Sequence, residues 1–248
     1  MTVQASGVRL LALLLFAVVP GAAGGMQAAE RPDLSGLWVP VGGEGSIPWP
    51  DDPPYTDWGQ ARWDAYAGQF DPVVDDPSRF CVPPGMPRSM TRPPTFPIEV
   101  FHRPHDVTMF LEAWSQYRKV YMEGYDRPPP VLPTRMGYSV GRWEGETLVI
   151  ETTHLSERLQ GQILMSGQAR IEERIRLTEN DDGEKRLVND IVFTDPQTYT
   201  EPVVTRGVWA WSPDTPIMEY VCTQEIYELH LEALREQRQG EGALGDAD

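Results

Sequence analysis

The sequence predicts a mainly β protein, an antiparallel barrel or sandwich with a short helix before most of its strands and another after them. Residues Gly141 to His154, reading Gly-Arg-Trp-Glu-Gly-Glu-Thr-Leu-Val-Ile-Glu-Thr-Thr-His, look like two strands folded on a tight turn. Trp143 ends one strand, Glu144-Gly145 supplies the turn, and Thr147 to Thr153 is dense in β-branched residues that suit a pleated, half-buried surface. Short strand-like segments also recur at close spacing from Ile98 to Trp211, the pattern of a barrel or sandwich. Asn180-Asp181-Asp182-Gly183 adds a strong turn between two of them.

Taken in order, residues 1–29 read as an export signal. Arg9 stands in a short basic lead, Leu10 to Val19 is almost wholly apolar, and small residues follow from Gly21 to Gly25. The apolar run is shorter than the roughly 20 residues a spanning helix needs, so cleavage between Gly24 and Glu30 is expected rather than anchoring. No cysteine lies nearby to carry a lipid, and no later segment is apolar enough to cross a bilayer. The expected product is periplasmic or secreted.

Residues 30–239 then form a single expected domain. A first strand runs from Asp33 to Val39, and Thr56 caps a short helix reaching about Gln69. The chain from Asp71 to Pro97 is mostly loop, because its prolines remove donors and restrict the backbone. Strands follow at Ile98 to Arg103, Val107 to Trp114 and Tyr117 to Met122, and Pro128-Pro129-Pro130 marks a long connection. Further strands run from Tyr138 to Trp143, Thr147 to His154, Ala169 to Leu177, Arg186 to Thr194 and Val204 to Trp211. Thr223 to Gln239 reads as one amphipathic helix, which leaves a docking role for its apolar face open, and 240–248 as a disordered acidic tail.

The formal net charge of -16 argues against nucleic acid, which needs a basic face to displace counterions, and against anionic membrane surfaces. Neutral or cationic small molecules remain open. The only two cysteines, Cys81 and Cys222, would meet an oxidising compartment after export, and a disulfide between them would tie the Pro-rich early segment to the last strand. The alternative is a pair of buried thiols acting as small apolar residues. No pattern specifies an oligomeric state.

The chain resembles a family of exported bacterial proteins of unknown function. The resemblance rests on Asp33-Leu34-Ser35-Gly36-x-Trp38, Cys81-x-Pro83-Pro84-Gly85-x-Pro87-Arg88, Arg118-x-x-Tyr121 and Pro133-Thr134-x-x-Gly137. It continues through Gly141-x-Trp143-Glu144-Gly145-Glu146-Thr147-Leu148-Val149, Asp195-Pro196-x-Thr198-Tyr199-Thr200 and Glu219-Tyr220-x-Cys222. It implies a lipocalin-like or related β-barrel. Two positions depart from the family pattern: His154-Leu155 stands where relatives read Gly-Phe, and Tyr138 where they carry a histidine.

Four histidines occur, His102, His105, His154 and His230, the last among the charged residues of the terminal helix and read as solvated. His102 shares strand parity with Ile98 and Val100, and His154 with Leu148 and Ile150, so both are expected to face an apolar interior. Two such imidazoles, with Tyr121, would suit acid–base catalysis on a small, largely apolar molecule: isomerisation, elimination or cyclisation without a cofactor. Glu112, Arg118 and Trp143 are the candidate substrate contacts. The competing readings are a non-catalytic carrier with the same pocket, histidines that are hydrogen-bonded core or rim residues, and an ion pair between Glu112 and Arg118. A metal held by His102, His105, Asp106 and His154 is a weaker alternative, since three ligands from one turn and a distant fourth make a poor cage. No Gly-rich phosphate loop and no Gly-x-Ser-x-Gly elbow is present.

Overall fold

The computed structural model describes residues 1–2, 31–69, 71, 75–91, 96–125, 127–160 and 163–223, with 225, 228, 229, 231, 232 and 235. The export signal, the acidic tail, His230 and most of the expected terminal helix lie outside the described residues.

Among the described residues nine strands close a barrel. In chain order they are β1 (Gly36–Pro40), β2 (Ile98–His102), β3 (Asp106–Leu111), β4 (Gln116–Met122), β5 (Tyr138–Glu144) and β6 (Thr147–Thr153). A small separate hairpin, β7 (Arg158–Gln160) and β8 (Ile163–Met165), comes next, and β9 (Arg170–Glu179), β10 (Lys185–Thr194) and β11 (Val203–Trp211) complete the wall. Around the barrel the order is β1-β11-β10-β9-β6-β5-β4-β3-β2. One pair departs from the antiparallel expectation: β4 and β5 run parallel. The reason is arithmetic, because strands that strictly alternate in direction cannot close a ring of nine.

A parallel pair of consecutive strands needs a connection that returns along the whole barrel. Residues 123–137 make that return. They start beside the β2–β3 turn, where Tyr125 packs on His105 at 3.8 Å, and finish where Thr134 N donates to His154 O at 2.9 Å. The Pro128-Pro129-Pro130 run lies in this crossover, where backbone without donors is no loss to the sheet.

The helix expected after Thr56 is α1 (Asp57–Ala67), and the Thr56 hydroxyl accepts from Gly59 N at 3.1 Å as its N-cap. The β5–β6 turn sits one residue later than expected, at Gly145-Glu146, with Gly145 at φ 61°. The strand expected to run on to Trp114 stops at Leu111, because Glu112 turns to helical dihedrals, and Trp114 and Ser115 follow at φ of 57° and 48°.

The barrel interior is lined by buried side chains, most of them apolar. Val100, Met109, Val120, Leu148, Ile150, Ile175, Leu187, Phe193 and Trp209 face inward and are essentially inaccessible. Segment 85–91, which ends in α2 (Arg88–Thr91), fills the mouth, with Met86, Met90 and Thr91 fully buried. Gly207 on β11 makes room for it: a Cβ there would stand 2.5 Å from the Trp209 ring and 3.1 Å from the Met90 carbonyl.

Candidate functional site

The two histidines are at opposite ends of the barrel. Following strand directions from β1, β2 runs down and ends at His102, while β6 runs up and ends one residue before His154. His102 packs on Trp143 at 5.5 Å, and His154 meets Tyr138 edge-on at 6.2 Å. Trp143 and Tyr138 lie five residues apart on β5, about 17 Å along the strand. The expectation of a shared interior is corrected on this register.

Each imidazole has a local role. His102 is mostly covered at the lower mouth, its Nδ1 3.6 Å from the Asp33 carboxylate. Hydrogen bonds from the Ser35 hydroxyl and backbone N–H hold the Asp33 carboxyl below its ordinary value, with His102 a smaller contributor. His154 has left the strand at φ 54°, is exposed, and its Nδ1 lies 2.9 Å from the Thr153 hydroxyl. It lines a separate hollow of 550 Å³ between the end of β6 and the start of β9. The metal alternative fails on the same geometry, since Asp106 is engaged by Lys119 and Thr108 and His105 by Tyr125. No cluster of three or more His, Cys, Asp or Glu side chains suited to a metal occurs among the described residues.

The other candidates separate too. Glu112 does not pair with Arg118; it accepts from Met218 N at 2.8 Å and ties the chain after β11 to the end of β3. Arg118 instead pairs with Glu173 on β9 inside the barrel, both essentially inaccessible. Its Nη1 donates to Glu173 Oε1 at 2.9 Å and its Nη2 to the other carboxylate oxygen. Ser139 Oγ at 3.1 Å and Thr152 Oγ1 at 2.8 Å take further donors, and Asn189 Nδ2 donates to Glu173 at 2.8 Å. A buried charge survives only when matched in this way.

Two members of this polar belt, Arg118 and Ser139, border a cleft in the barrel wall. β4 pairs with β3 along its full length, but β5 joins it only at Val120↔Ser139, Tyr121↔Val140 and Met122↔Gly141. Residues 116–119 therefore have no strand on that side, and the crossover closes over the opening to leave a cleft of 610 Å³. Gln116, Arg118 and Ser139 form its floor. Trp114, Tyr117, Tyr121 and Tyr138 form its aromatic walls, with Tyr121 and Tyr138 stacked at 5.7 Å.

The rim is held from several directions. The Trp114 indole N–H donates to Ser78 O at 3.0 Å, and the Tyr138 hydroxyl donates to Arg127 O in the crossover. Pro83 lies on the rim two residues after Cys81, which forms a disulfide with Cys222 across a Cα separation of 5.7 Å. That bond fits a compartment more oxidising than the cytosol. Arg158, from β7, donates to the carbonyls of Met86, Arg135 and Ser156, and so clips the barrel plug to the crossover.

Of the candidate catalytic and substrate-binding residues named from sequence, Tyr121 and Arg118 line this cleft. Sequence reasoning missed Trp114, Tyr117, Arg135 and Tyr138 as a group. The signal was present: nine strand segments imply a parallel pair if they close, and the proline run marks one of the two long connections between consecutive strands after Ile98. Among the described residues no helix is long and apolar enough to cross a membrane. The fold and cleft define a mixed β-barrel with a binding-sized opening at its parallel seam. Comparison with protein-family models, with curated proteins and with solved structures found no match to this chain.

Proposed function

We propose that the chain is an exported, periplasmic or secreted β-barrel protein that binds a small, largely apolar molecule in the seam cleft. The observation that carries this reading is an opening of 610 Å³ walled by four aromatic rings and floored by fixed polar groups. Small-molecule sites fall at about 300–1,000 Å³ and combine apolar walls with a few oriented polar atoms. The apolar lead of the sequence and the Cys81–Cys222 bond support export. A carrier or binding role fits this arrangement better than cofactor-independent isomerase, lyase or cyclase chemistry. The imidazoles invoked for proton transfer stand outside the cleft walls, and the Arg118 charge is already matched by Glu173.

The test is a fluorescence titration with phenylnaphthylamine, a neutral two-ring probe with an appended phenyl group. Tyr121→Ala and Tyr138→Ala should each weaken binding about tenfold, the loss of one stacking partner and its buried area. His102→Ala and His154→Ala should leave affinity within about twofold. Unchanged binding in both tyrosine variants would discard the cleft as the site.

A further inference from the structure

The hollow beside His154 lies at the upper end of the barrel, away from the seam, and the imidazole enters it from a backbone that few side chains adopt. Its φ of 54° is in the left-handed region, which glycine occupies freely and a histidine only against steric resistance. Strained residues of this kind collect at functional sites.

Register sets the neighbours of His154 in a row. The β6–β9 ladder ends at Thr152↔Ile171 with both side chains buried, so Thr153 and Arg170 come next on the outer face, and Arg170 pairs in turn with Thr194 of β10. Side chains directly opposite one another stand about 5 Å apart, which puts a hydroxyl on each side of the guanidinium. The Thr153 hydroxyl lies 2.9 Å from His154 Nδ1, and when it donates there, Nε2 carries the ring proton and is left as a donor. All four side chains line the hollow.

The whole chain carries 37 acidic and 21 basic side chains, yet no Asp or Glu is among the residues lining this hollow. One step along the same outer face, Glu151 and Glu172 are turned to Arg142 and Arg174. Asp195, next to Thr194, is buried and accepts from Ser166 and Thr198. No ion pair is found for Arg170 among the described residues. A full positive charge flanked by fixed donors, with no carboxylate in the lining, is a place for an anion.

We propose that this hollow binds a small organic ester of phosphate or sulfate, its tetrahedral oxyanion held by Arg170, Thr153, Thr194 and His154. A planar carboxylate is served by the fork of one guanidinium, whereas hydroxyls on both sides and an imidazole beside them suit an anion whose oxygens point in several directions. The volume of 550 Å³ far exceeds a bare ion, and Pro133, Leu155 and Pro196 give the rest of the molecule an apolar wall. The net charge of -16 disfavours a long polyanion such as nucleic acid. A single anionic group is decided locally, because charges beyond roughly 8 Å are screened at physiological ionic strength. The site is separate from the seam cleft and stands or falls without it.

The experiment titrates the full disulfide-bonded chain with sodium sulfate and, separately, sodium phosphate at constant ionic strength, following backbone amide shifts by NMR. Binding should saturate with a dissociation constant on the order of 1 mM, moving the amides of 153–154, 168–170 and 194 and not those of the seam. Acetate, planar and singly charged, should bind at least about fivefold more weakly. Arg170→Gln should weaken sulfate at least about tenfold and Arg170→Lys about threefold. His154→Gly should weaken it about threefold while raising Tm, because the left-handed backbone is then unstrained. Saturation by both ions, or by one of them, supports the site and says which ester it takes. Shifts that grow linearly, that scatter over the surface, or that survive Arg170→Gln would overturn it, and acetate binding as tightly as sulfate would overturn the tetrahedral class.

Discussion

The wall made by β9, β10 and β11 and the seam between β4 and β5 are built from the same kind of strand to opposite effect. In the wall, pairing runs without interruption from Lys185↔Glu179 to Thr194↔Arg170 on one side of β10 and from Arg186↔Ala210 to Phe193↔Val203 on the other. At the seam it is confined to the register from Val120↔Ser139 to Met122↔Gly141. The wall is sealed outside as well, where Asp190 bridges Arg176 and Arg206 across three strands. The seam is open, and its opening is where aromatic rings and cations collect. An odd-stranded closed sheet must place its irregularity somewhere, and here the single parallel pair takes it, together with the crossover that completes the cleft.

The largest expected effect probes what joins the two regions. The Arg118–Glu173 pair links β4 at the seam to β9 in the wall. Arg118→Met leaves Glu173 buried and unmatched, and should cost about 3–5 kcal/mol in urea unfolding. Replacing both partners by apolar residues should restore much of that loss. If the single change cost no more than an exposed pair, the belt would not be the rigid floor described.

A smaller effect separates the wall from the seam by pH. Burial works to raise the Asp190 carboxyl, but hydrogen bonds from Arg176 and Arg206 outweigh it and hold the group below its ordinary value. A depressed carboxyl contributes stability above its unfolded pKa, about 3.9, and that contribution is lost as pH falls through the folded value. Stability should therefore drop below about pH 4, and Asp190→Asn should flatten the slope by under about 1 kcal/mol, since all three partners are partly solvated. Probe binding at neutral pH should not change. A shifted affinity in this variant would show that wall and seam are not independent.

Much of this comparison is legible in the sequence. Nine strand segments, the Thr56 cap and the long proline-marked connection are each set by local chemistry, the Cys81–Cys222 bond follows from the cysteine count, and each is found. The β7–β8 hairpin is not legible, having only three residues in each strand. Strand parity places Arg118 and His102 on the inner face, yet parity says nothing about depth. Arg118 is at the centre and finds a partner 55 residues away, while His102 is at a strand end where the barrel opens. For His154 the parity rule lapses, because the backbone turns to positive φ immediately after Thr153. The cleft itself depends on which strands become neighbours on closure, a fact carried by the whole ring and not by any one segment.

The most direct measurement is amide hydrogen exchange with and without saturating phenylnaphthylamine. Binding at the seam should slow exchange in residues 114–121 and in the crossover from 128 to 139, and leave the β9–β11 wall and the His154 hollow at their free rates. Protection centred on residues 153–155 and 167–170, on the wall, or nowhere at all, would contradict the seam as the functional site.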